Sequence, residues 1–392
     1  MTGMPLPPFT SEKSPQAAPS LSQSRIRALM QAALFLARTN QGRTRPNPSV
    51  GAIVADPVSG EIISSAVTAP GGRPHAEALA LEKAGLRARG AVLFTTLEPC
   101  SHYGNTPPCA DAIITAGISA VFYGSLDPDP RVSGRGFARL QTNGVAVHPA
   151  PLANEADWHN LGHALRMTER RPFIQLKLAV DAANKVLIGR GKPTWVTSPE
   201  TRAQAHLLRA QTDAILVGRG TVIADDPELT CRLPGMESRS PIRIVLSASG
   251  SIPSERRLFK DAFPPAWIFT SESRMLSPHE LPKGVRYRPA PLDKTGGLDL
   301  RAVLATLAGD GISRLLVEGG PHIARAFLDA RLADEVIVMK GAGETAQADA
   351  MPPFVDGGLE RLENSPDFIL QSQRTSGKDA IYSYRSSKYW RG

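Results

Sequence analysis

Cysteine is scarce in this 392-residue chain. Three are present, an odd and small number that excludes a disulfide scaffold and suits a reducing compartment, here taken as cytoplasmic, with thiols free for metal or catalysis. Long apolar runs are missing as well. No stretch approaches the roughly 18 consecutive apolar residues a spanning helix needs, so no membrane partner is expected. Aromatic residues make up only 6% and no block of five basic residues occurs, so the interleaved rings and cations that single-stranded nucleic acid requires are absent. Low-complexity composition is absent too: 42% hydrophobic and 21% charged residues are ordinary for a globular chain and exclude one that is wholly disordered. What is present is a net charge of +8, a field that favours anionic partners such as phosphates, nucleotides or nucleic acid, though it is spread along the chain. Nucleic acid is not expected as the principal partner.

The length allows two or three domains. Met1 to Ser24 holds five prolines and five serines among few large apolar residues, a composition that cannot bury a core, so residues 1–24 read as a disordered extension. From residue 25 onward strands alternate with helices, the signature of an α/β layered domain. Helical stretches at Arg25 to Arg38, Ala76 to Leu86, Pro108 to Ala116, Gly136 to Thr142 and Ala153 to Arg166 are separated by strand-like ones. The cluster Glu169-Arg170-Arg171-Pro172 marks a boundary, giving domains over 25–168 and 169–392. In the second, Phe173 to Val180 is apolar on both faces, as a central strand is. No internal repeat occurs.

The strongest local signal is His75-Ala76-Glu77 followed by Pro99-Cys100 and Cys109. A catalytic zinc takes three protein ligands and keeps one position open. One imidazole and two thiols supply that number. His75 precedes a helix and Cys109 sits near the start of another, where the dipole favours thiolate, the form that binds zinc. Glu77 lies two residues beyond the first ligand, near the metal without coordinating it. There it can take a proton from bound water and return it to a leaving amine. This is the H-x-E…P-C pattern of zinc deaminases, with eight residues between the cysteines, Ser101 to Pro108, where two are usual. His102 is a rival ligand, ranked lower because ligation two residues from Cys100 strains the turn.

These residues belong to longer motifs. Thr44-Arg45-Pro46-Asn47-Pro48-Ser49-Val50-Gly51, Pro74-His75-Ala76-Glu77, the segment from Pro99 to Cys109 and Asp127-Pro128-Asp129-Pro130-Arg131 resemble the deaminase half of the bifunctional deaminase/reductase family of riboflavin biosynthesis. Gln175-Leu176-Lys177-Leu178-Ala179, Trp195-Val196-Thr197-Ser198, Thr221 to Arg232 and Val317-Glu318-Gly319-Gly320-Pro321 continue the likeness in family order. The resemblance implies a cytidine-deaminase-like three-layer domain followed by a dihydrofolate-reductase-like domain. It implies deamination of 2,5-diamino-6-ribosylamino-4(3H)-pyrimidinone 5′-phosphate, then NADPH-dependent reduction of the ribosyl group to a ribityl chain. His75, Cys100 and Cys109 would hold Zn2+ and Glu77 would shuttle the proton.

By the same resemblance Asn47 belongs to the pyrimidine pocket. Ala179, Trp195, Thr221, Asp225 and Gly320 line the NADPH site; Thr197, Arg209, Leu229, Arg232 and Glu318 meet the substrate, and Lys177, which projects from an otherwise apolar strand where a Lys is seldom merely structural, is placed near it as well. The chemistry agrees in part. Glycines joining a strand to a helix let backbone N–H groups approach a phosphate, and the planar arginine fork pairs two phosphate oxygens. Without the motif, Arg209 reads as a solvated surface group. Glu318 is expected at the ribose or in proton transfer, and Cys231 as a partly buried thiol without chemistry. Homo-oligomerisation is compatible with the sequence.

Several positions depart from the family pattern. Ala183 and Asn184 stand where Asp and Gly are usual, although Asn tolerates positive φ and can keep the turn. Pro193 replaces a phosphate-binding Ser and has neither hydroxyl nor N–H. Asn105 replaces a basic residue, and Thr68 a His. The alternatives are a divergent paralogue with altered deaminase substrate and a weakened reductase, a nucleic-acid deaminase, and a non-enzymatic nucleotide-binding paralogue.

Overall fold

The computed structural model describes residues 20–103, 107–129, 132–187, 195–275, 281–344, 350–354 and 359–389. The chain divides into two compact units. One comprises Met1–Thr39, Val50–Thr68 and Pro74–Asp157; the other comprises Asn40–Ser49, Ala69–Arg73 and Trp158–Gly392. Asn105 and Pro193 lie outside the described residues.

The first unit runs α1 (Gln23–Thr39), β1 (Gly51–Ala55), β2 (Ile62–Val67), α2 (Ala76–Ala84), β3 (Val92–Thr95), α3 (Cys109–Ala116), β4 (Ala120–Tyr123), α4 (Arg135–Thr142) and β5 (Ala146–Pro149). Helix α5 (Ala153–Thr168) begins here and continues into the second unit. The sheet order is β2-β1-β3-β4-β5, antiparallel on either side of β1 and parallel from β3 onward. Alternation along each strand builds the three layers. Ala52, Val54, Leu93 and Val121 face a cluster containing Ala76, Ala80, Ala110 and Ile113 of α2 and α3. Ile53, Ala55, Phe94 and Phe122 face the opposite cluster, with Leu29, Met30, Ala33 and Leu34 of α1. Gly51 permits that approach, since a Cβ there would lie 2.0 Å from the Ala33 carbonyl oxygen.

The second unit continues with β6 (Phe173–Val180), α6 (Pro199–Ala210), β7 (Ala214–Gly218), α7 (Arg219–Asp225), β8 (Ile242–Leu246), β9 (Ala266–Thr270) and β10 (Val285–Pro289). It ends with α8 (Leu300–Gly309), β11 (Arg314–Val317), α9 (Pro321–Asp329), β12 (Glu335–Lys340), α10 (Glu360–Glu363), β13 (Phe368–Ser376) and β14 (Asp379–Ser386). The sheet order is β10-β9-β8-β7-β11-β6-β12-β14-β13. Neighbours from β10 to β12 are parallel and β14 and β13 are antiparallel. Strand β6 is central, as its two apolar faces predict. The edge strands β10 and β13, and the short helices α7 and α10, escape the sequence pattern. β13 is largely exposed and carries no apolar alternation.

Arg171, within the cluster read as a boundary, is buried. Its guanidinium donates to both carboxylate oxygens of Asp334 at 2.7 and 2.8 Å, and Asp334 also accepts the Ile174 N–H at 2.8 Å. The pair ties the start of β6 to the turn before β12.

Candidate active sites

In the first unit, β3 delivers the chain to Cys100, while α2 and α3 pack side by side on one face of the sheet. Their starts therefore lie together. His75 is the residue before α2, extended at φ −71° and ψ 156°, with its ring uncommitted to capping. Cys109 opens α3. His75 Nδ1 lies 3.4 Å from Cys109 Sγ and 3.7 Å from Cys100 Sγ. All three donor atoms fall within 4.8 Å of one another. Ordinary Zn–N and Zn–S bonds give a tetrahedral N···S edge of about 3.6 Å, so the observed spacing fits a shared zinc ion. His102 is not part of this cluster.

Glu77 is buried at 3% exposure, on the first turn of α2. Burial pushes its carboxyl up to about 7. The Cys109 thiol hydrogen-bonds Cys100 and draws it down to about 4. That same bond, with burial and the nearby Glu77, pushes Cys109 up. A dication among these groups reverses the upward pushes, because it stabilises every anion around it. Thr68 is buried and its hydroxyl accepts the Val50 N–H at 2.9 Å, closing the start of β1. Asn47 lies in the stretch 40–49 of the second unit and donates from Nδ2 to the Gly72 carbonyl at 2.9 Å.

The second unit holds a cavity of about 760 Å³ at the carboxyl ends of β6, β7, β8 and β11, the usual ligand position in an open α/β sheet. Ala179, Trp195, Thr221, Asp225 and Gly320 line it, as do Lys177, Thr197, Arg209, Leu229, Arg232 and Glu318. Gly320 precedes α9, and a Cβ added there would meet only Thr221 Oγ1, at 3.8 Å. The backbone is thus open to a ligand phosphate, and a nicotinamide dinucleotide fits the site. Gly319 has a different reason: its Cβ would strike Ile323 at 2.4 Å.

Arg209 is not the solvated group its sequence setting suggests. Its side chain is 13% exposed, and it donates to both Glu318 oxygens at 2.9 Å and to the Thr230 carbonyl at 3.0 Å. Lys177 Nζ stands 3.7 Å from the same carboxylate. Burial works against the Glu318 charge, but Arg209 and Lys177 overcome it and hold the carboxyl at about 2. Glu318 is therefore held as a carboxylate at neutral pH by its two cationic neighbours. Arg232 pairs with Glu228 at 3.3 Å and Arg257 with Glu228 at 3.0 Å. Arg202 lies 4.9 Å from the Trp195 ring centroid and donates to the Thr197 carbonyl at 2.7 Å. Asn184 has φ 60°, so the departure from Gly leaves the turn intact.

Sequence reading missed His206, Arg219 and Arg257, which also line the cavity. For His206 the signal was present: Arg202, His206 and Arg209 recur at helical spacing on α6. His206 Nδ1 accepts the Arg232 N–H at 3.2 Å. Burial, then Arg209 and Arg232, depress its pKa to about 4. Leu229, buried at 2%, has φ 59°, a left-handed conformation that costs an apolar residue about 1–3 kcal/mol and recurs at ligand sites. Cys231 is fully rather than partly buried.

Known proteins share both halves. Residues 23–125 match the cytidine and deoxycytidylate deaminase zinc-binding region, and residues 172–381 match the RibD C-terminal domain. The riboflavin biosynthesis protein RibD of Escherichia coli is 38% identical over 361 residues, covering 89% of this chain and 96% of that protein. Its namesake from Aquifex aeolicus is 38% identical over 359 residues, covering 91% and 97%. Among solved structures, the diaminohydroxyphosphoribosylaminopyrimidine deaminase/5-amino-6-(5-phosphoribosylamino)uracil reductase of Thermotoga maritima superposes with a TM-score of 0.79 at 32% identity, covering 93% of this chain and 99% of that one. RibD of Acinetobacter baumannii gives 0.80 at 28% identity, covering 93% and 100%.

Proposed function

The chain belongs to the RibD family of riboflavin biosynthesis proteins, and from that premise we propose how its two sites divide the work. The protein is a bifunctional deaminase and reductase. The first half hydrolytically deaminates 2,5-diamino-6-ribosylamino-4(3H)-pyrimidinone 5′-phosphate, and the second reduces the ribosyl group of the product with NADPH. The observation that carries the reading is the convergence of His75, Cys100 and Cys109 with Glu77 buried beside them.

Zinc, held by those three side chains, supplies the Lewis acidity that makes water reactive near neutral pH. Glu77 moves the proton: its carboxylate accepts it from the attacking water and delivers it to the departing amine. Burial of Glu77 keeps bulk water from competing for that proton.

In the second half NADPH supplies the reducing equivalents, held by Ala179, Trp195, Thr221, Asp225 and the open backbone at Gly320. Glu318, a carboxylate at working pH, accepts hydrogen bonds from the ribose and keeps Lys177 beside it. Arg209 spends three of its five N–H donors on Glu318 and Thr230; two remain for a phosphate, with Arg232 and Thr197 completing the set. The strained Leu229 holds the loop that presents Arg232. The paralogue reading is not favoured, since the match runs through both halves and the Asp181–Asn184 turn persists. The three free cysteines fit a reducing cytoplasm.

The test is a coupled assay with the pyrimidine ribotide on metal-analysed protein, with and without NADPH. Ammonia release should need zinc but no NADPH, and NADPH oxidation should follow only after deamination. A zinc-loaded chain that releases no ammonia refutes the first half of the reading; ammonia without NADPH oxidation refutes the second.

A further inference from the structure

We propose that α4 supplies the anion subsite of the deaminase half: Arg135 and Arg139, facing Ser101 and His102, receive the phosphate of the ribotide and restrict the zinc centre to phosphorylated substrate. The proposal rests on the deaminase reading above and adds the residues that select its substrate.

An open cavity of about 480 Å³ is lined by Ser101, His102, Arg135 and Arg139. Ser101 and His102 directly follow the metal ligand Cys100, and adjacent Cα atoms are about 3.8 Å apart. One wall of the cavity therefore starts beside the metal. The other wall is fixed to it. Gly136, on the first turn of α4, lies so close to Pro99 that a Cβ would come within 2.2 Å of its carbonyl oxygen. Glu98 Oε2 accepts the N–H groups of Gly134 at 3.2 Å and Asp127 at 3.4 Å, locking the start of α4 to the zinc loop. Those backbone donors are spent on Glu98, which leaves the arginine side chains as donors for a ligand.

The two arginines stand one helical turn apart. Arg139 pairs with Asp111 of α3 at 2.6 Å, and Asp111 also accepts the Tyr103 hydroxyl at 3.1 Å. That pairing cancels part of one charge and fixes its direction. The exposed Arg135 has no ion-pair partner among the described residues, so its positive charge is uncompensated there. His102 Nδ1, in the same wall, is buried without a hydrogen-bond partner among the described residues. Two guanidinium forks, one unpaired, match the several oxygens of a phosphate monoester. With the pyrimidine held at His75, Cys100 and Cys109, the ribose phosphate arm would extend along Ser101 and His102 toward this cavity.

The experiment compares ammonia release from the ribotide and from the same compound after phosphatase treatment, using zinc-loaded full-length wild type, Arg135→Gln and Arg139→Gln. Loss of a charged hydrogen bond predicts a KM for the ribotide raised about tenfold or more in Arg135→Gln. KM for the dephosphorylated compound and the zinc content should not change, and Arg135→Lys should recover part of the loss. An equal shift for both compounds, or none, overturns the subsite. If Arg139→Gln loses zinc through α3, Arg135→Gln still decides. Inorganic phosphate should also shield Arg135 from phenylglyoxal, read by peptide mass spectrometry; an unshielded Arg135 overturns the subsite. If wild type releases no ammonia while Arg135 is shielded, the deaminase reading falls and the anion site stands.

Discussion

Replacing Glu318 by Gln tests the electrostatics of the second cavity most directly. The carboxylate is held at about 2 against an ordinary 4.5, and each unit is worth 1.36 kcal/mol, so the charge contributes about 3 kcal/mol to folding. Breaking a buried ion pair by removing one partner costs about 3–5 kcal/mol, which agrees. Gln also turns an amide N–H toward Arg209, donor against donor. For a domain of this size the loss lowers the melting temperature by about 6–12 °C. Because the folded-state pKa is depressed, the contribution is complete above pH 4.5 and lost as pH falls toward 2. Wild type and Glu318→Gln should therefore differ by a constant amount from pH 7 to about 5, then converge. All four tryptophans lie at or beyond Trp158, in the second unit, so their fluorescence during denaturation follows that unit alone. Arg209 and Lys177, freed of their counter-ion, should let inorganic phosphate stabilise the variant more than wild type. A penalty below about 1 kcal/mol at pH 7, or one unchanged between pH 5 and 3, would refute the reasoning.

Glu77→Gln should keep about one zinc per chain by metal analysis and lose deamination by about 10²–10⁴-fold, the range of general acid–base catalysis. Cys109→Ser and chelation should both remove zinc and abolish ammonia release while NADPH binding, followed by fluorescence, is unaffected; loss of both together would contradict separate sites. Gly320→Ala fits the extended backbone, so its melting temperature should match wild type, but the added methyl should raise the cofactor KM by about an order of magnitude. His206 is depressed from 6.5 to about 4, so its neutral form is favoured in the fold. Wild type should lose stability as pH falls from 6.5 toward 4 more steeply than His206→Gln, by about 1 kcal/mol after allowing for solvent screening; equal slopes in a pH-titrated denaturation series would exclude that role.

The zinc site was legible because its information is local. Helix starts can be read from Pro107-Pro108 and from the apolar runs that follow, and His75, Glu77 and Cys109 owe their positions to those starts. The two-layered cover of the first sheet was legible in the same way, from strands alternating with helices. The edge strand β13 was not, because it is largely exposed and carries little apolar alternation, and β10 was not, because its Val285-Arg286-Tyr287-Arg288 alternation spans only four residues before Pro289. The grouping of residues 40–49 and 69–73 with the second unit was equally hidden, because a contiguous reading of the chain has no marker for it. Motifs identified Arg209 and Glu318 separately, yet nothing between them predicts that they bond to each other across 109 positions.

The order of residues by itself determined which donor atoms are available to a metal, where a proton-carrying carboxylate stands beside them, and which strands alternate with which helices. Only the tertiary structure decided which charges are paired: Arg209 is committed to Glu318, while the exposed Arg135 has no ion-pair partner among the described residues. The physical reason is that helix starts and strand faces follow from neighbours in sequence, whereas Coulomb energy and desolvation depend on distance through space.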